Sequence, residues 1–162
     1  MSTMRDNIPL KGFSRVMIED GPTGKIIGDS GYVGPNQITN LGFLNFLCKS
    51  LGSSTGSKYV GFCALGTGGV PNATATTLPG EVMSSTQRNA VTFATSSNSK
   101  YARFTISFMS SESFVTATYD ISNVGLYAAT TTDDTMFAGN TYTSSNLNTN
   151  QNVYVTYDIQ FS

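Results

Sequence analysis

Residues 152–161, NVYVTYDIQF, alternate apolar and polar side chains without a break. Val153, Val155, Tyr157, Ile159 and Phe161 fall on one side, with Tyr154, Thr156, Asp158 and Gln160 on the other. Successive side chains of an extended chain point to opposite faces, so this period puts one face against a core and the other toward water. A helix would scatter the same residues around its circumference. The run therefore requires a half-buried antiparallel strand, and with it a sheet and a second layer to cover the apolar face.

Shorter runs repeat the signal. Residues 101–109, YARFTISFM, point Ala102, Phe104, Ile106 and Phe108 one way and Arg103, Thr105 and Ser107 the other. Residues 89–95, NAVTFAT, alternate through Val91 and Phe93, and SNVGLYAA and TMFAGNTY are further strand candidates. Residues 58–66, KYVGFCALG, are apolar on both faces, which suits a strand covered on two sides or one at a subunit interface. Residues 13–20 and 25–29 flank GPTG, whose glycines and proline predict a hairpin turn. The chain is rich in Thr, Val, Tyr and Phe and only 12% charged, a composition that fits pleated surfaces better than helices. The expectation is a mainly β protein, an antiparallel β-sandwich of Ig-like or jelly-roll-like kind. Residues 13–162 make one domain, and residues 1–12, polar and without a period, form an extended arm that a partner would order.

One helix is predicted, over residues 39–51. Thr39 or Asn40 caps it, Gly52 stops it, and Leu41, Leu44, Leu47, Cys48 and Leu51 share a face at spacings of three and four. Cys48 and Cys63 both sit among apolar residues and read as small buried hydrophobes rather than a disulfide.

The chemistry available is narrow. The glycines of CALGTGG follow an apolar run as phosphate-cradling loops do, but no Lys follows them and Pro71 stands where a helix should start. They read instead as a tight turn, with Gly66, Gly68 and Gly69 placed where side chains would clash. The chain has no histidine, which removes the commonest general base, the usual hydrolase triads and most zinc sites. A glycosidase built on two carboxylates needs a pair from Glu81, Glu112, Asp120, Asp133, Asp134 and Asp158, and no motif fixes one. Asp133-Asp134 lacks the spacing of a calcium loop. With a net charge of −1 and scattered Lys and Arg, the footprint of a nucleic-acid binder is missing, and no apolar run is long enough to span a membrane. No catalytic residue, cofactor or metal is expected, and the chain reads as a soluble binding or structural protein.

Several motifs come in a recognisable order: VMIEDGPTGKIIGDSGYVGPNQITNLGFLNFL, then YVGFCALGTGGVPNATATTLPGEV, then ISNVGLYAA, MFAGNTY and the terminal alternating strand. Together, over residues 16–161, they resemble small virion structural proteins of tailed bacteriophages. The resemblance implies self-association and docking on other virion proteins, with no catalytic residues and synthesis in the host cytoplasm. It points to a capsid decoration (cement) protein, a homotrimer on the major capsid protein of the head surface. The alternative it implies is a tail, baseplate or fibre-tip component, where Tyr127, Tyr142 and Tyr154 could stack on a host glycan. Candidate docking residues are Arg5, Lys11, Phe13 and Arg15, and candidate subunit-interface residues are Tyr59, Val60 and Phe62.

Overall fold

The structure, a computed structural model, describes residues 10–48, 58–82, 88–95, 101–112, 116–130 and 135–161. Two antiparallel sheets face each other as a sandwich. The first contains β1 (Leu10–Asp20), β2 (Ile26–Asp29), β7 (Thr92–Ala94), β8 (Tyr101–Phe108) and β11 (Gln151–Phe161), in the order β2-β1-β11-β8-β7. The second contains β3 (Gln37–Ile38), β4 (Phe62–Gly66), β5 (Glu81–Val82), β9 (Tyr119–Tyr127) and β10 (Met136–Leu147), in the order β3-β10-β9-β4-β5. A further strand, β6 (Asn89–Ala90), also pairs with β4.

The alternating run is β11, and its period is read out directly. Val153, Val155, Tyr157 and Ile159 are buried, with no more than 2% of any of them exposed. They meet Val16 and Ile18 of β1 and Phe104, Ile106 and Phe108 of β8 in the core between the sheets. Phe161 continues the stripe past the covered region and is 41% exposed. The expected hairpin is present as β1–β2, although β1 begins at Leu10 and so takes in residues assigned to the arm. The run at 89–95 is not one strand. It changes sheets at Val91, so that β6 pairs with β4 while β7 pairs with β8.

The strand expected to be covered on two sides is shorter than its apolar run but is covered as expected. Cys63 and Leu65 of β4 face the main core, while Ala64 joins Leu78, Tyr127 and Met136 on the other face of the second sheet. What covers that outer face is the loop 67–80, and Asn123 of β9 pins it. The Asn123 side chain is fully buried and donates to the carbonyls of Gly69 (3.1 Å) and Pro79 (3.0 Å). The Ser122 hydroxyl donates to the Gly68 carbonyl at 2.8 Å. A Cβ on Gly66 would run into the Asn123 side chain and one on Gly68 into Pro79, whereas Gly69 faces open space. Two of the three glycines thus allow the close approach expected of them, and the third does not need to. Cys63 is a free, buried thiol, whose pKa burial raises, as expected of a small hydrophobe.

The helix departs from its expected form. Thr39 does cap it, accepting from the Gly42 amide, but a single α-turn (Asn40–Gly42) runs straight into a π-helical stretch, Phe43–Cys48. A π-turn closes over one more residue than an α-turn, so side chains spaced by three and four no longer line up. Gly42 and Phe46 face the core instead, with Leu41 and Leu47 half-buried, and Leu44 is 52% exposed. Gly42 lies so close to the Phe137 carbonyl that a Cβ would not fit, and the Phe46 and Phe137 rings pack at a tilt with centroids 5.1 Å apart. Leu51, Gly52 and the Cys48 side chain lie outside the described residues.

Replacing Asn123 by Ala removes two buried hydrogen bonds and takes from the Gly69 carbonyl its side-chain donor, while the Pro79 carbonyl keeps the Gly68 amide. A loss of about 2 kcal/mol in urea unfolding is expected. A variant as stable as the parent would show that the loop holds itself.

Candidate docking surfaces

Two surfaces gather side chains that the fold itself does not use up. The first is an apolar groove at the end of the sandwich where β11 finishes, with a volume of about 370 Å³. Its floor is the rim of the core: Phe104, Phe137 and Ile159, with Phe46 of the helix. Its walls are open to water, Tyr59 being 78%, Phe93 56% and Phe161 41% exposed. Phe93 leans on Phe104 with ring centroids 5.5 Å apart. Leu10 pairs with Phe161 and Lys11 with Gln160, so β1 enters the sheet at this same end.

The second surface is on the outer face of the first sheet. The register of β1, β11 and β8 places Phe13, Asp158 and Arg103 in one cross-strand row, and Lys11, Gln160 and Tyr101 in the next. Arg103 grips Asp158 with two donors, Nε to Oδ1 at 2.8 Å and Nη2 to Oδ2 at 2.7 Å, and this pairing raises the guanidinium pKa. Tyr32, from the segment after β2, lies over the row with its hydroxyl 3.4 Å from Arg103 Nη2. Beside it, Arg15 pairs with Asp29 (Nε to Oδ1, 2.9 Å) and sits 5.9 Å from the Tyr32 ring centroid. The hydrogen bond from Arg15, with one from the Gly31 amide, pulls the Asp29 pKa down to about 2. Phe13, Tyr32, Tyr101, Arg103, Asp158 and Gln160 line a shallow depression of about 330 Å³.

The candidates from sequence therefore divide. Tyr59 and Val60 both line the apolar groove, while Phe62 lies half-buried against the Tyr127 cluster on the far side of the second sheet. Phe13 lines the depression, Arg15 is held by Asp29 at its edge, and Lys11 is exposed. Arg5 lies outside the described residues. Two of the tyrosines offered as stacking platforms are not available: Tyr127 and Tyr142 are buried, and burial raises the pKa of both. Tyr154 is half-buried on the outer face, its hydroxyl 3.3 Å from Glu19 Oε1. The tyrosine rings that line the depression are Tyr32 and Tyr101, which sequence reasoning missed because neither stands out until the strands are placed side by side.

The candidate acids do not converge. Glu81 lies in a buried pair with Arg88 (2.8 Å) and accepts from the Tyr127 hydroxyl, whereas Asp158 is on the opposite sheet beneath Arg103. Glu112 accepts from Asn89 and the Met109 amide, Asp120 accepts from Asn146, and Asp133 and Asp134 lie outside the described residues. In the glycine-rich loop, the Thr67 and Gly68 amides donate to the Gly80 and Pro79 carbonyls rather than facing a ligand. Among the described residues no helix is long and apolar enough to cross a membrane. Comparison with protein-family models, curated proteins and solved structures finds no match.

The Asp29 pairing sets an expectation for acid. Its folded pKa is below the ordinary 3.8, so its contribution is complete above that pH and is lost as pH falls toward about 2. The Asp29→Asn variant lacks this contribution, so its urea midpoint should trail the parent's at neutral pH and converge with it near pH 2. The gap is small because the pair is exposed. A gap that stays constant with pH would contradict the assignment.

Proposed function

We propose that this chain is a structural subunit of a tailed-bacteriophage virion. In this reading it is a decoration (cement) protein that self-associates as a trimer and clamps neighbouring subunits of the major capsid protein on the outer head shell. One observation carries the reading: the groove that leaves Tyr59, Phe93 and Phe161 exposed at the end of the sandwich where β11 finishes. Apolar patches of this kind mark interaction sites, and aromatic side chains are the residues most enriched in the buried centres of interfaces. The motif order along residues 16–161, which resembles such virion proteins, supplies the biological setting.

The mechanism is clamping rather than chemistry. A shell under pressure from packaged DNA fails at its subunit boundaries. A protein that buries a standard interface of about 1,200–2,000 Å² across such a boundary raises the work of separating it. Linking copies into a trimer makes each further contact intramolecular, so modest individual affinities combine into tight attachment. Glu81 and Asp158 lie on opposite sheets, each paired with an arginine, and do not form a two-carboxylate site, which favours a non-catalytic role.

Sedimentation of the purified chain tests the interface. The parent should run as a trimer, and Tyr59→Ser combined with Phe93→Ser as a monomer that still unfolds cooperatively in urea. A monomeric parent, or a variant that still assembles, would remove the groove as the interface. Imaging of an intact virion tests the location: copies spread over the head support the reading, and copies confined to the tail or fibre tip replace it with the alternative. Heads lacking the protein should rupture more readily on heating and osmotic shock.

A further inference from the structure

We infer that the depression on the outer face of the first sheet is a binding site for a neutral saccharide. The inference is independent of the apolar groove and of where in a virion the protein sits. Three features of the depression meet the needs of a sugar, which presents an apolar C–H face and a rim of hydroxyls that both donate and accept.

The first is a stacking surface. Tyr32 is 51% exposed and forms one wall, with Tyr101 and Phe13 also lining the site. The Arg103 guanidinium lies 5.1 Å from the Tyr101 ring centroid and pairs with Asp158, so charge and hydrogen bonds hold this part of the site in place before any ligand arrives.

The second is paired polar chemistry with capacity left over. An ionised carboxylate offers about four acceptor positions, and Arg103 fills only one on each Asp158 oxygen. Arg103 keeps its Nη1 donors without a hydrogen-bond partner among the described residues. Two neighbouring sugar hydroxyls could thus donate to Asp158 and accept from Arg103 at once. Gln160, in the next cross-strand row, adds an amide that donates and accepts.

The third is charge. Among the residues that line the depression the one cation, Arg103, is matched by the one anion, Asp158, so the lining carries no net charge. Lys11 is exposed in the adjacent row but does not line the site. The selection is therefore for a neutral ligand. The volume, about 330 Å³, is at the small end of the range for small-molecule sites and accommodates roughly one or two sugar rings.

The test is a set of NMR titrations of the full chain with neutral trisaccharides of glucose, galactose, mannose and N-acetylglucosamine, and with a sialic-acid trisaccharide. At least one neutral sugar should shift the amides of Tyr32, Tyr101, Arg103 and Gln160. Tyr32→Ala should weaken that binding at least tenfold, Tyr32→Phe should largely keep it, and Asp158→Asn should weaken it with a urea midpoint recorded alongside. Tyr32 is exposed, so its truncation leaves the fold intact and the readout interpretable. No response to any neutral sugar, a response only to the acidic one, or binding that Tyr32→Ala leaves untouched would each overturn the inference.

Discussion

Everything in the first sheet depends on the register of β11. It pairs with β1 along its full length on one side and with β8 on the other. A slip of one residue would turn Val153, Val155, Tyr157 and Ile159 outward and drive Tyr154 and Asp158 into the core. Each of those apolar side chains contributes about 1.5–3 kcal/mol on burial. An exposed ion pair contributes about 0–1 kcal/mol, so the Arg103–Asp158 pair follows the register and does not set it. The core thereby fixes the outer face: burying the odd-numbered residues of β11 is what sets Asp158 between Phe13 and Arg103.

The second sheet answers to a different constraint, because it must be covered on both faces. The first sheet covers one face. The other is covered by a loop, which has no ladder of its own to hold it there. Asn123 supplies the missing hydrogen bonds, and the Tyr127 hydroxyl adds to them by accepting from the Leu78 amide at 2.8 Å and donating to Glu81 at 3.0 Å. Arg88 closes this cluster, its guanidinium 3.4 Å above the Tyr127 ring and bonded to Glu81. The motifs ALGTG, TTLPGE and NVGLY, far apart in the chain, are therefore one local structure. Their glycines and Asn123 are explained by packing rather than by a ligand.

The sheets were legible in the sequence wherever a period of two was long enough to be unambiguous, as in β8 and β11. The two-sided burial of β4 was legible from the opposite signal, since its apolar run shows no alternation. The helix was less so, because spacings of three and four presuppose an α-turn, and the Gly42–Phe137 contact and the π-stretch moved the buried face to Phe46. The split at Val91 was invisible, since a strand that changes sheets keeps its local pattern. The two surfaces were half visible. Tyr59 and Val60 announced the groove through an apolar run that outlasts its strand. Tyr32, Tyr101 and Arg103 became a site only through cross-strand register, which no single stretch of sequence encodes.

The pairing of β1 with β11 also governs how the chain reaches its native state. These strands lie at opposite ends of the described chain, so their ladder closes over almost the whole domain. Contacts of such sequence separation return their energy only after the entropy of closing the loop has been lost, which makes sheets of this kind slow to form. During synthesis β1 can pair early with β2, its hairpin partner, but its other edge stays open until residues 151–161 have been made. The outer-face depression, assembled from β1, β8 and β11 together, thus comes into being only with this last closure.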